Sequence, residues 1–183
     1  MFTDNRSKRI VLVSHCILNQ NSISDGTADY PGVNEDLLGF LTQSGVGIIQ
    51  MPCPELSCLG LDRGDIHGGD RAVIVENTRI RQNLVKPYCI EVLNRLVAQI
   101  IFQIEEYIKN GFTIVGIIGI NRSPSCGVDT TSKHDQEVEG AGVFIEILRE
   151  QLTNKGLNIK MIGIKATETD KALKSVQALT AEC

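Results

Sequence analysis

No stretch of the chain approaches the roughly 18 to 20 consecutive apolar residues that cross a bilayer. The first apolar run, residues 10–13, is also far too short for the hydrophobic region of a signal peptide. A membrane partner is therefore not expected, and the expected location is cytoplasmic. Charge of one sign is lacking as well. With 18 Lys plus Arg against 22 Asp plus Glu the net charge is −4, which gives no general attraction to phosphate backbones, so duplex nucleic acid is not an expected partner. There is no internal repeat, linker or low-complexity segment. A content of 42% hydrophobic and 22% charged residues over 183 positions fits one globular domain, residues 1–183, and excludes fibrous and disordered classes. Tryptophan is absent, and the aromatic set is five phenylalanines and three tyrosines. Against that background six cysteines stand out.

Several familiar motifs are missing too. No C-x-x-C pair occurs, so a thioredoxin-like redox couple is unsupported. No G-x-x-x-x-G-K-S/T occurs, and Gly45-Val-Gly47 precedes a strand pattern instead of following one. Gly140-Ala-Gly142 opens a helical pattern but lacks a third glycine, which leaves phosphate binding there a weak reading. In a reducing compartment a chain of this size does not need a disulfide framework. Metal ligation, catalysis and core packing remain as explanations for the thiols.

What is present is an alternation of strand and helix patterns. Residues 10–14, 47–51, 112–120 and 159–164 are short apolar, β-branched runs of the kind buried on both faces of a parallel sheet. Residues 34–44 carry Leu37, Leu38 and Leu41 at helical spacing, closed by Gly45. After Pro87, Leu93, Leu96, Ile100, Ile104 and Tyr107 mark one face of a long helix that ends before Gly111. Residues 142–155 and 169–179 predict two further helices. The expected fold is α/β: a single-domain, Rossmann-like three-layer arrangement with a mainly parallel sheet and helices on both faces. Two stretches, residues 60–70 and 128–139, break the pattern and predict irregular lids or binding loops.

Cys16, Cys53 and Cys126 each sit just beyond the carboxyl end of a predicted strand. In an open parallel sheet those ends share one edge, and ligands bind in the crevice there, so three thiols remote in sequence are predicted to meet. The other three are weaker candidates. Cys89 is in phase with Leu93, Leu96 and Ile100 and reads as a small core residue. Cys183 is the last residue, and Cys58 forms C-x4-C with Cys53 but lacks a following C-x2-C, so it reads as a reserve ligand or a bystander.

Three converging thiolates could hold zinc, with His15 as a fourth ligand, although adjacent residues at a strand end usually point to opposite sides. They could also hold an iron–sulfur cluster with one iron left open, a position suited to Lewis-acid chemistry. Around them, Glu55 is a candidate general base and otherwise a solvated turn carboxylate. Ser123 and Ser125, with backbone N–H groups near Gly127, are candidates for binding a heterocycle or developing charge and otherwise ordinary turn residues. His15, Asp25 and Arg63 are candidate substrate contacts, each with a bland alternative as core, turn or surface residue.

The set Cys16-Ile-Leu-Asn-Gln with Asp25-Gly26, Cys53-Pro-Glu55 and Ser123-Pro-Ser-Cys-Gly127 resembles the 2-thiouracil desulfidase family. Within it the chain looks most like a branch sharing the Ser-His-Cys start, Gln50-Met-Pro-Cys-Pro-Glu55 and Gly142-Val-Phe-Ile-Glu146. The resemblance spans about residues 10–164. It implies that Cys16, Cys53 and Cys126 bind a [4Fe-4S] cluster whose fourth iron captures the sulfur of a thiocarbonyl substrate. It also implies that an acidic residue such as Glu55 activates water, so that the oxo base and sulfide are formed without net electron transfer. Ser125 is expected in the catalytic group, with His15, Asp25, Arg63 and Ser123 around the substrate. Better-known members carry Arg-Tyr before Asp-Gly where this chain has Ile23-Ser24, which leaves open whether the substrate is thiouracil, another thiolated nucleobase or a thioamide. The alternative function is a non-catalytic protein that holds zinc or an iron–sulfur cluster.

Overall fold

The computed structural model describes residues 2–181. These contain six strands: β1 (Arg9–Val13), β2 (Gly47–Gln50), β3 (Thr113–Ile120), β4 (Thr130–Lys133), β5 (Gln136–Glu139) and β6 (Met161–Ile164). The helices are α1 (His15–Leu18), α2 (Glu35–Gln43), α3 (Pro54–Leu59), α4 (Val73–Leu84), α5 (Pro87–Lys109), α6 (Val143–Asn154) and α7 (Thr169–Ala181). β2, β1, β3 and β6 lie side by side in that order and all parallel. The fold is a Rossmann-like three-layer α/β arrangement. The four expected sheet strands are present, each within two residues of its predicted bounds.

Period-two alternation along the strands sorts the core onto two faces. Val11, Val13, Val115 and Ile118 pack with Ile17, Leu37, Leu41, Val176 and Leu179, beneath α1, α2 and α7. Leu12 and Ile117 pack with Ile80, Leu93, Ile100, Ile104, Phe144 and Leu148, beneath α4, α5 and α6. In α5 the predicted Leu93, Ile100 and Ile104 are buried, and Val97 and Ile101 join them. Asn34 caps α2 by accepting from the Leu37 N–H at 3.1 Å, and Gly45, at φ 65°, ends the chain's run past the helix. β3 carries one extra residue, Val115, where its pairing with β1 shifts between Ile10 and Val11.

Residues 128–139, expected to be irregular, instead hold the antiparallel hairpin β4–β5. His134 and Asp135 form its turn at φ 54° and 56°. Two positive φ values are the type I′ requirement that Asn-Gly normally announces, and His-Asp does not announce it. The hairpin is fixed to α4, where the Asn77 amide donates to Ser132 Oγ at 3.2 Å and Thr78 Oγ1 accepts from the Asp135 N–H at 2.9 Å. α4 itself had no strong apolar signal, because Glu76, Asn77 and Thr78 are buried through polar contacts of this kind. Among the described residues no helix is long and apolar enough to cross a membrane.

Candidate functional site

β2, β1 and β3 are adjacent, so the segments that follow their carboxyl ends are adjacent as well. Cys16 lies in α1, directly after β1. Cys53 follows β2 and caps α3, its sulfur accepting from the Leu56 N–H at 3.4 Å while Pro54 occupies the first helical position, where a missing N–H costs nothing. Cys126 follows β3. All three thiols are free and line one cavity of about 170 Å³. Burial pushes each thiol above its ordinary pKa, Cys126 to about 12, and the negative charge of neighbouring thiolates and of Glu55 adds to the rise. Among the described residues no group of three or more His, Cys, Asp or Glu side chains is set to hold a metal ion.

The loop carrying Cys126 is held by its own backbone. Ser123 Oγ accepts from the N–H groups of Ser125 at 3.2 Å and Cys126 at 3.0 Å, and the Ile120 N–H returns to the Cys126 carbonyl at 3.0 Å. The N–H groups of Val143 and Phe144 donate to the carbonyls of Pro124 at 3.0 Å and Ser125 at 3.1 Å. The first amides of α6 are thus spent on this loop, which removes the phosphate reading of Gly140-Ala-Gly142. The glycines serve close approach instead. A Cβ on Gly119 would stand 2.4 Å from the Cys126 carbonyl oxygen, and one on Gly142 2.4 Å from the Ser125 backbone. Gly142→Ala is therefore expected to destabilise the protein by about 3 kcal/mol, since neither backbone can yield without losing its hydrogen bonds. Denaturant unfolding checks this, and a cost below about 1 kcal/mol would show that the loop can relax.

Glu55, in the first turn of α3, is 7% exposed and far from being a solvated turn residue. Its Oε1 accepts from Ser125 Oγ at 2.6 Å, and its Oε2 accepts from Arg63 Nε at 2.9 Å and Ser24 Oγ at 3.2 Å. Arg63, expected as a substrate contact on a mobile loop, is 3% exposed. Its remaining donors go to the carbonyls of Gly60, Leu61 and Ser22. It borders the cavity, but its role is to hold Glu55. Ser24 was not among the predicted residues. The available signal was its position in the Ile23-Ser24 dipeptide, where the sequence departs from the family that it resembles.

His15 lines the cavity, and its pKa is lowered by burial and by the charge of Arg63. Ser123 and Ser125 line it too, with their hydroxyls 3.2 Å apart. Asp25 does not join them. It is exposed, accepts from the Gly26 N–H and borders a second cavity with Asp62, Asp65 and Glu76. Two organising amides were given no role from the sequence, although Gln20 stands in the Cys16-Ile-Leu-Asn-Gln stretch. Gln20 donates to the Cys16 carbonyl at 2.7 Å and accepts from the Asp29 N–H at 3.1 Å. Asn121 Oδ1 accepts from the N–H groups of Val128, Asp129 and Thr130. The sequence cues were that Asn121 directly follows β3 and that Gln20 closes the Cys16-Ile-Leu-Asn-Gln stretch. Cys58 packs away from the cavity, its sulfur 3.8 Å from the carbonyl oxygen of the buried Cys89, and Cys183 lies outside the described residues.

The uncharacterized protein MJ0003 of Methanocaldococcus jannaschii is 30% identical to this chain over 176 residues, which cover 95% of this chain and 98% of the relative. The chain belongs to the MJ0003 family. The match takes in nearly all of both proteins, so what the MJ0003 family shares is the whole domain and not one motif. No family model matches the chain, and no solved structure matches it.

Proposed function

We propose that this MJ0003-family protein is an iron–sulfur-dependent desulfidase that removes sulfur from a small thiolated heterocycle, such as a 2-thiouracil-like base or a related thioamide. The observation that carries the reading is the convergence of Cys16, Cys53 and Cys126 on one cavity beside the Ser125–Glu55 pair. The donor set fits a cationic group, because three thiols on one cavity, Cys126 buried and Cys16 and Cys53 half-buried, all with raised pKa values, ionise together only against compensating positive charge. A [4Fe-4S] cluster, where each thiolate serves a different iron and one iron stays open, is the group that the resemblance implies, and zinc is the alternative. When bound to Cys16, Cys53 and Cys126, the cluster supplies an open iron that polarises the C–S bond.

The chain's own residues supply the proton path. Ser125 and Glu55 both line the cavity and are joined through the Ser125 Oγ–Glu55 Oε1 hydrogen bond, so a water held by Ser125 can attack the thiocarbonyl carbon and pass its proton through Ser125 to Glu55. A C–O bond forms, the C–S bond breaks, and C=S plus water gives C=O plus hydrogen sulfide with no net oxidation. Arg63 and Ser24 fix the other carboxylate oxygen so that Oε1 faces Ser125. His15 and Ser123, both on the cavity wall, are placed to hydrogen-bond the ring.

The test is anaerobic reconstitution with iron and sulfide, followed by visible absorption and an assay of sulfide release from 2-thiouracil and related thiobases. The expected result is a brown protein that releases sulfide in proportion to its iron content. A stoichiometric zinc site that excludes iron overturns the reading. A cluster with no turnover of any thiobase replaces it with a non-catalytic metal-binding protein.

A further inference from the structure

Asn77, in α4, is 7% exposed and lines the main cavity together with Val73, one helical turn before it. Its amide is tied down at one end. Nδ2 donates to Ser132 Oγ at 3.2 Å and to the Arg122 carbonyl at 3.5 Å. The Ser132 hydroxyl gives its own proton to that same carbonyl at 2.6 Å, so toward Asn77 it only accepts. Both neighbours therefore demand a donor, which fixes the NH2 group toward the β4–β5 hairpin and leaves Oδ1 on the other side of the amide.

Oδ1 receives no hydrogen bond from the described residues. Neither is it sealed in, because the fully buried side-chain atoms without a partner among the described residues are Arg9 Nε and Ser14 Oγ. The open side of this residue is the cavity that it lines. Asn77 thus presents a preformed acceptor whose direction is set by contacts outside the cavity. A ligand that covers this oxygen without donating to it leaves it unpaired, at a cost on the order of 1–3 kcal/mol.

The ring of a thiolated heterocycle supplies the matching group. In its thioamide form the nitrogen beside the C=S group carries a hydrogen, and an N-alkylated ring has none to give. We infer that Asn77 Oδ1 accepts a ring N–H of the substrate and restricts the protein to cyclic thioamides whose ring nitrogen bears a hydrogen. The inference rests on the desulfidase reading above and names which thiobases that site takes. Sites built around a hydrogen bond discriminate strongly against analogues that lack it, because the buried partner is stranded.

The wild type tests this with 2-thiouracil, 1-methyl-2-thiouracil and 3-methyl-2-thiouracil, each followed by sulfide release from the reconstituted protein. Methylation of at least one ring nitrogen should lower kcat/KM by more than about tenfold. Asn77→Ala should lower kcat/KM for 2-thiouracil by about tenfold and bring its ratio to the disfavoured methylated base close to one. That ratio is the deciding readout. A residue that only anchors the hairpin would slow all three bases by the same factor, and this result overturns the inference. Equal turnover of the three bases by the wild type overturns it without any variant. If no base is turned over, the desulfidase reading fails, and equilibrium dialysis of the same three bases against the same protein decides the rest. Unequal binding that Asn77→Ala makes equal supports the Asn77 contact, whereas equal binding, or none, overturns it.

Discussion

Alanine at Cys16, Cys53 or Cys126 is expected to leave no measurable iron on the reconstituted protein and no sulfide release above background. Each thiol follows a different strand, and no other cysteine of the described chain lines the cavity to take the place of a missing one. Cys58 is turned toward α5, where burial and Cys89 push its pKa to about 12. Iron content per chain and visible absorption check the result, and retention of a full cluster by any of the three variants removes that residue from the ligand set. Cys53 allows a sharper comparison. Its sulfur also caps α3, so Cys53→Ala should lose about 1 kcal/mol of stability as well as the cluster. Cys53→Ser should recover most of the stability and none of the iron.

Arg63→Met is expected to lower the stability of the metal-free protein by about 3–5 kcal/mol, because it strands the Glu55 carboxylate in a buried site. The pair is a strong case for this effect. The Arg63 and Glu55 side chains are 3% and 9% exposed and meet at 2.9 Å. The double variant Arg63→Met, Glu55→Gln should recover at least half of the loss, since both charges are then gone and the introduced amide still accepts a hydrogen bond from Ser24. Denaturant unfolding of the two single variants and the double variant closes the cycle. Additive losses would mean that the two residues act independently, contrary to the geometry. For turnover, Glu55→Gln alone should keep the visible absorption of the cluster while slowing sulfide release by about 100-fold or more, in the range that a lost general base costs.

The sheet was legible because a strand buried on both faces leaves an apolar, β-branched run that few other structures need, and the 10–14 and 112–120 segments are of that kind. The convergence of the thiols was legible for the same reason, since parallel strands bring their carboxyl ends to one edge wherever they fall in sequence. What escaped was structure decided by tertiary contacts. α3 hides behind Cys53-Pro54, where a thiol acts as helix cap and a proline starts the helix instead of stopping it. α4 reads as polar because its buried face is met by Ser132 and by the arginines around Glu76. Arg63 and Asp25 looked alike as loop residues. Burial turned one toward Glu55 and left the other outside the main cavity, and no local pattern distinguishes those outcomes.

Residues 60–70 are fastened to α4 as firmly as to Glu55. The Arg63 carbonyl accepts from Arg79 Nη2 at 2.9 Å, and Arg71 bridges Asp65 at 2.6 Å and Glu76 at 3.0 Å. This segment therefore cannot swing open by itself. Releasing it means breaking the Arg63 and Arg71 contacts together and drawing the first turns of α4 into the same cooperative opening. Any widening of the cavity on the Arg63 side is therefore tied to the stability of α4.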